Sequence, residues 1–463
     1  VRKDTPSRPW LVPVVVAGTL VILLTALWRE AGSNRPMSAV DEHMHLDTHA
    51  HVHRGDFPHR GSLMTMDVVR EWACGVGHES GEAMAPCDHP DLGPNSLPSG
   101  IYSSGYIHYP TYFVAAEGYR AVVDAVSDTD DADSFVDTYR HFATLMSVLG
   151  VALCLLGGWR LGFRGTALVA ATFVPSATAG ILLYGTIANP QSTAVLSGAL
   201  IAWAGLRWAL DRGGFWPLAA ATALGASVAV VDSLPAGAFM VAMTAVLVLR
   251  RLGWQVGGAW QPRWWQLGLL TALVVAPVIA YGAFISSRAT LSNAELYAFA
   301  PLGGLGNVVS GGVWELSILH TPWYETSSLS AGQDAPLVQH LARSAVQGVP
   351  LWVTIAVFGC LVVAAARGAT APRDPRTHAR TIAVVPLLVL SSLVALLLFP
   401  PAMRVSNAVN LGFDYPVVAR YAMSFTPLLV WLVLLSTPGR PALARALALL
   451  GVGGVLGVTL AVW

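Results

Sequence analysis

The sequence predicts an all-α protein that crosses a membrane many times. Three observations carry that prediction. Of 463 residues, 54% are hydrophobic and only 12% are charged, about half the charge of an ordinary soluble domain. The mean hydropathy is +0.56. Apolar runs of roughly 18 residues or more recur along the chain, each long enough to cross the ~30 Å hydrocarbon core as a helix. A membrane barrel would show short alternating segments instead. The formal net charge is zero, so no bulk attraction to nucleic acid is implied. Lysine occurs once, at Lys3, and every other basic residue is arginine. With abundant Ala, Gly and Val, this suggests GC-rich coding and a bacterial source.

In chain order, about eleven apolar segments read as spanning helices. They are 10–28, 141–158, 165–184, 190–209, 215–231, 234–249, 265–286, 343–365, 380–399, 418–435 and 442–461. The first is longer than a signal-peptide core and is followed by no small-x-small cleavage site, so it reads as a retained helix. Placing Arg2, Lys3 and Arg8 in the cytoplasm orients the rest by the positive-inside rule. Arg160, Arg164, Arg207, Arg212, Arg250, Arg251, Arg263, Arg367, Arg373, Arg376, Arg380, Arg440 and Arg445 then fall in inner connections. Asp4, Asp211 and Asp374 are the only acids on that side. "WQPRWW", 260–265, reads as an inner interfacial anchor.

The chain reads as one membrane domain over 1–463 with two long outer loops, 29–140 and 288–340, and a shorter one, 400–417. The first is too long for a connector and should carry juxtamembrane helices. Long loops gathered on one face usually carry function. Cys154 and Cys360 fall in spans and read as small apolar residues. Cys74 and Cys87 share the first outer loop, where an oxidising exterior favours a disulfide. A thiolate metal site with His78 and His89 is the rival, but it lacks C-x-x-C-like spacing.

"DEHMHLDTHAHVH", 41–53, opens that loop. On a helix, Asp41, His45 and His49 form one stripe with Glu42 at its edge. On a strand, Asp41 and Glu42 would face opposite ways, so only a helix lets both carboxylates serve one site. Three readings compete: an exposed polar helix at the headgroups, a zinc site built on His45 and His49 with Asp41, or a catalytic carboxylate at the membrane surface. Other stretches are ambiguous. "SDTDDADS", 127–134, lacks the glycine and glutamate of an EF-hand and reads as a helix cap. "WELSILHTPWYE", 314–325, with Glu315 and His320, suits sugar binding or an interfacial helix. Asp232, near an outer helix end, reads as structural or a cap. No P-loop motif is present.

An Asp-Glu pair shortly after the first membrane helix, followed by a histidine, resembles the signature of the GT-C superfamily of integral-membrane glycosyltransferases. "DEHMHLD" resembles their D-E-x-x-H form. "GYIHYPTYF", 105–113, resembles an H-P-P-x-Y stretch, with Tyr109 in place of the first proline. "YGTIANPQS", 184–192, resembles an N-P-D-like stretch, with Gln191 replacing the acid. "PVVARYAMSFTPLL", 416–429, resembles a G-R-Y element. The motifs cover about thirty residues, and the long loop after the seventh helix matches the superfamily's commoner architecture.

The resemblance implies a sugar donor carried on polyprenyl phosphate and an envelope glycan, glycolipid or protein as acceptor. The site would lie at the outer face of the bacterial cytoplasmic membrane. Phosphate is a good leaving group, so the chemistry needs a base for the acceptor hydroxyl rather than an acid. Asp41 is the expected base of an inverting displacement, and Glu42 its assistant. Arg404 and Arg420 are expected on the phosphate, with Tyr421, His45, His108 and Tyr109 binding substrate. No cofactor is certain, and a divalent cation is compatible with the site. The rival functions are a transporter or flippase of lipid-linked glycans and a zinc-dependent membrane enzyme. The near absence of charge within the spans favours surface chemistry over transport.

Overall fold

The structure is a computed structural model. It describes residues 11–38, 41–77, 87–97, 100–126, 135–177, 179–254, 260–296, 384, 386–399, 401–405, 419–436 and 441–462. Among these the chain is helical, with no strand beyond an isolated antiparallel bridge between Leu63 and Tyr102. Among the described residues four helices are long and apolar enough to cross a membrane: Val12–Ala31, Phe135–Leu161, Val230–Arg251 and Trp264–Arg288. Shorter apolar helices accompany them at Thr166–Ser176, Trp216–Val228, Met423–Ser436 and Pro441–Gly457. The expected helix 343–365, the cap 127–134 and the stretch 314–325 lie outside the described residues.

Helix α1 (Leu11–Ala31) is apolar and ends on Arg29, a cation at the negative end of the helix dipole. Three short helices follow before the next span: α2 (Glu42–His53), α3 (Met66–Cys74) and α4 (Pro110–Val126). Cys74, the last residue of α3, is bonded to Cys87. Helix α5 (Phe135–Leu161) starts earlier than its apolar pattern suggests. The expected third span is broken: α6 (Thr166–Phe173) passes through a 3-10 turn at Val174–Ser176 before α7 (Ala179–Tyr184). Pro175 within that turn lacks the N–H an α-helix needs.

The fourth span also opens on a 3-10 turn, Pro190–Thr193, where the Asn189 side chain accepts the Gln191 N–H at 2.9 Å. It continues as α8 (Ala194–Ala209). Then come α9 (Trp216–Val228), α10 (Leu234–Arg251), α11 (Trp264–Arg288) and the short α12 (Asn293–Leu296). A 3-10 segment, Ala419–Phe425, leads into α13 (Thr426–Ser436), and α14 (Pro441–Val462) closes the described chain.

Two cores result. The larger lies between the apolar helices, with Leu23, Val151, Phe173, Ile201, Phe239 and Trp431 among its members. Trp431 donates its indole N–H to the Ala171 carbonyl at 3.0 Å, which satisfies a polar group in an apolar setting. At Gly198 the α8 backbone meets the Ser424 backbone so closely that a Cβ would overlap it, the small-residue contact that membrane helices favour. The second core belongs to the stretch between α1 and α5 and the residues it packs against. Met37, Leu46, Val68, Trp72, Tyr112, Phe113 and Ala188 pack there against Val136, Tyr139 and Phe142 of α5. Helix α5 therefore runs through both cores and carries the loop unit on its first turns.

Candidate functional site

The polar helix α2 is the centre of the loop unit. Its composition suggests a wetted surface, yet Glu42, His43, His45, Leu46, Asp47, Thr48, His49 and Ala50 are all buried. Polar side chains can be buried when each finds a partner. Glu42 and Asp47 find theirs in distant parts of the chain, Thr48 bonds the Met44 carbonyl one turn back, and His49 is held by ring packing, with neither ring nitrogen hydrogen-bonded.

Asp41 and Glu42 part company at the helix start. Glu42 is fully buried. Its carboxylate accepts from Arg140 Nε at 2.7 Å and Nη2 at 2.9 Å, the paired geometry suited to a guanidinium. It also accepts the Ser38 N–H at 2.7 Å and the Ala188 N–H at 3.0 Å. Arg140 spends its remaining donors on the Arg35 carbonyl at 3.1 Å and the Pro36 carbonyl at 3.2 Å. Arg35 in turn donates to the Thr186 carbonyl at 2.9 Å and to Glu30 at 3.2 Å. One ion pair thus joins the end of α1, the start of α2, α5 and the turn before α8. Burial alone would raise the Glu42 carboxyl. The Arg140 guanidinium, with Arg35 and the Ser38 N–H, outweighs it and holds Glu42 below its ordinary value.

Asp41 is exposed. It stands at the N-cap position with φ 57° and ψ 12°, in the left-handed region, and its side chain makes no cap hydrogen bond. Its carbonyl accepts the Met44 and His45 N–H groups at 3.0 and 3.2 Å, so the backbone is fixed. Asp is among the few L-residues that enter this region, at some energetic cost, and such strain collects where a side chain must be presented.

One turn along, His45 is buried and its ring lies 4.6 Å from the His108 ring, centre to centre. His108 follows the 3-10 turn Gly105–Ile107. Gly105 fits flush against Thr48 and Pro58, where a Cβ would overlap the Thr48 hydroxyl. Tyr109 is half-buried, and burial raises its phenol, so it stays a neutral hydrogen-bond donor. The Tyr109 ring meets Tyr281 of α11 edge-on at 4.7 Å.

The remaining histidines have structural settings. His49 is stacked on Tyr139 at 3.8 Å and meets the edge of Phe113 at 4.8 Å. Burial, and then Arg120, holds its imidazole well below the ordinary value. His43 packs edge-on against Trp72 at 5.1 Å. His51 meets the Leu63 carbonyl at 3.2 Å, and His53 meets Glu117 at 3.2 Å. Asp47 accepts the N–H of Thr65, the residue before α3, at 2.6 Å. Among the described residues no group of three or more His, Cys, Asp or Glu side chains is placed to hold a metal ion. His45 and His49 turn their rings to aromatic neighbours.

The other expected residues lie near the start of α13. Arg404 is half-buried in a helical segment, 401–405. Arg420 belongs to the 3-10 segment, and its side chain lies outside the described set. Tyr421 packs with Met403 and Leu234 around Phe399. Two residues of the site escape a reading of motifs: Arg140 and Tyr281. An arginine entering a predicted span demands a partner, and that signal points to Arg140.

No family model matches the chain, and no curated protein matches it. In structure it is similar to ArnT from Cupriavidus metallidurans, a protein solved bound to undecaprenyl phosphate. The TM-score is 0.44 and the identity 13%, over 98% of this chain and 77% of that one.

Proposed function

We propose that this protein is a membrane glycosyltransferase. It takes a sugar from a polyprenyl-phosphate carrier and delivers it to an envelope glycan, glycolipid or protein. The reaction runs at the outer face of the bacterial cytoplasmic membrane, with Asp41 as general base and inversion at the sugar carbon. The observation that carries the reading is the division of labour in the acid pair. Glu42 is saturated by four donors inside the protein, whereas Asp41, its neighbour, is exposed and does not cap the helix it begins. A carboxylate fixed in backbone position but open to solvent suits a base that must reach an acceptor hydroxyl.

In this reading Glu42 works by fixing Asp41. His45, His108 and Tyr109 offer donors and ring faces to the sugar. Arg404 and Arg420, with Tyr421, take the departing phosphate, for which a planar guanidinium is well shaped.

Transfer from a radiolabelled polyprenyl-phosphate sugar into membrane extracts tests the assignment. Asp41→Asn should abolish transfer while expression and melting stay at wild-type levels. Undiminished transfer by that variant removes Asp41 as the base.

A further inference from the structure

His108 and Tyr109, the two residues of the 105–113 stretch expected to touch substrate, do not hold their own shape. The 3-10 turn Gly105–Ile107 is one turn long, and His108 leaves it in an extended conformation, φ −99° and ψ 146°. The carbonyls of such a turn need donors from elsewhere. They find one in the outer part of α11. The Tyr281 hydroxyl shares its single proton between the Tyr106 carbonyl, 2.9 Å away, and the His108 carbonyl. The same ring packs edge-on against Tyr109 at 4.7 Å and against Phe57 at 6.4 Å. About 10 Å further along α11, Arg288 donates to the Phe57 carbonyl at 3.0 Å and to Asp56 at 2.9 Å. Beyond it the Thr290 N–H donates to the Arg60 carbonyl at 2.9 Å.

We infer that Tyr281 is a positioning residue: it fixes the backbone on both sides of Ile107 and thereby sets where His108 and Tyr109 stand against His45. The inference rests on the transferase reading of the site. The contacts are specific to the hydroxyl, because ring packing alone would leave both carbonyls without this donor. The path is short and physical. Tyr281 holds the His108 carbonyl, His108 packs on His45, and the His45 N–H is bonded to the Asp41 carbonyl.

The full-length protein carrying Tyr281→Phe, His108→Ala or both tests this in two assays. The first is hydrogen exchange at the amides of 105–109, which does not depend on any activity. Tyr281→Phe keeps the ring, so melting should fall by only about 1–4 °C while exchange in this stretch accelerates. Unchanged exchange overturns the clamp itself. The second is kcat/KM for transfer from a radiolabelled polyprenyl-phosphate sugar. Tyr281→Phe should lower it about tenfold, the worth of one buried hydrogen bond. Because Tyr281 acts on His108 through the turn, and on Tyr109 besides, the double variant should lose less than the product of the two single losses. Losses that multiply, or a Tyr281→Phe variant with wild-type kcat/KM, overturn the positioning role. A wild-type protein inactive with every polyprenyl donor would refute the transferase reading, and the exchange result would still decide the clamp.

Discussion

Replacing Arg140 by methionine isolates the ion pair beneath the candidate site. Both partners are fully buried. Removing one leaves an uncompensated charge away from water, which costs about 3–5 kcal/mol. The geometry argues for the upper part of that range. Arg140→Met deletes two charge-assisted bonds to Glu42, at 2.7 and 2.9 Å, and two donors to the Arg35 and Pro36 carbonyls. The Ser38 and Ala188 N–H groups remain on Glu42, so the carboxylate keeps two of its four partners. The double replacement Glu42→Leu with Arg140→Met removes both charges together, and an apolar pair of similar volume often matches a buried ion pair. It should therefore recover half or more of the loss. Heat unfolding of the purified protein in detergent, followed by tryptophan fluorescence, reads the ranking. The order should be wild type, then the double variant, then Arg140→Met. A single variant within about 0.5 kcal/mol of wild type, the range of a neutral surface change, would refute the reasoning. A double variant as unstable as the sum of the singles would refute it equally.

Two further outcomes follow from the same helix. Asp41→Gly should raise stability by about 0.5–1 kcal/mol, since glycine enters the left-handed region without a Cβ penalty. It should also abolish transfer, so gain in stability without loss of activity separates strain from function. His49 gives a pH signature. Its folded imidazole resists protonation, while the unfolded chain takes up a proton below the ordinary value of 6.5. Stability is then lost as pH falls below that value, by about 1.4 kcal/mol for each unit. His49→Phe keeps the stack on Tyr139 and removes the proton uptake. Between pH 7.5 and 5.5, a range chosen around the ordinary histidine value, its midpoint should fall less than that of wild type. Parallel curves for the two proteins would remove His49 as the source.

Much of the helical framework is legible in the sequence because a spanning helix is a local property of about twenty residues. The break in the third span departs from the continuous helix expected over 165–184, although Pro175 stands in the middle of that apolar run. For 41–53 the spacing of Asp41, His45 and His49 allows a helix beside a strand, and the structure has the helix. Its burial could not be read from the sequence. Composition reports the average polarity of a segment, while burial depends on which remote groups meet it. Glu42 and Arg140 are 98 residues apart, and Glu42 and Ala188 are 146 apart. Tyr281 reaches the turn it holds across more than 170 residues. No local pattern encodes such meetings. A sequence can show only that a charge such as Arg140 stands where it needs a partner.

The length of α5 has a consequence for where that charge resides. Its 27 residues extend about 40 Å at 1.5 Å per residue, against a hydrocarbon thickness of ~30 Å. The surplus is about two turns, and the first two turns carry Tyr139 and Arg140. The guanidinium is stripped of water by protein atoms, those of Arg35, Pro36 and Glu42 among them. Swapping the bilayer for a detergent micelle leaves those atoms in place. The unit between α1 and α5 stands on a pillar whose capital is assembled entirely from polypeptide.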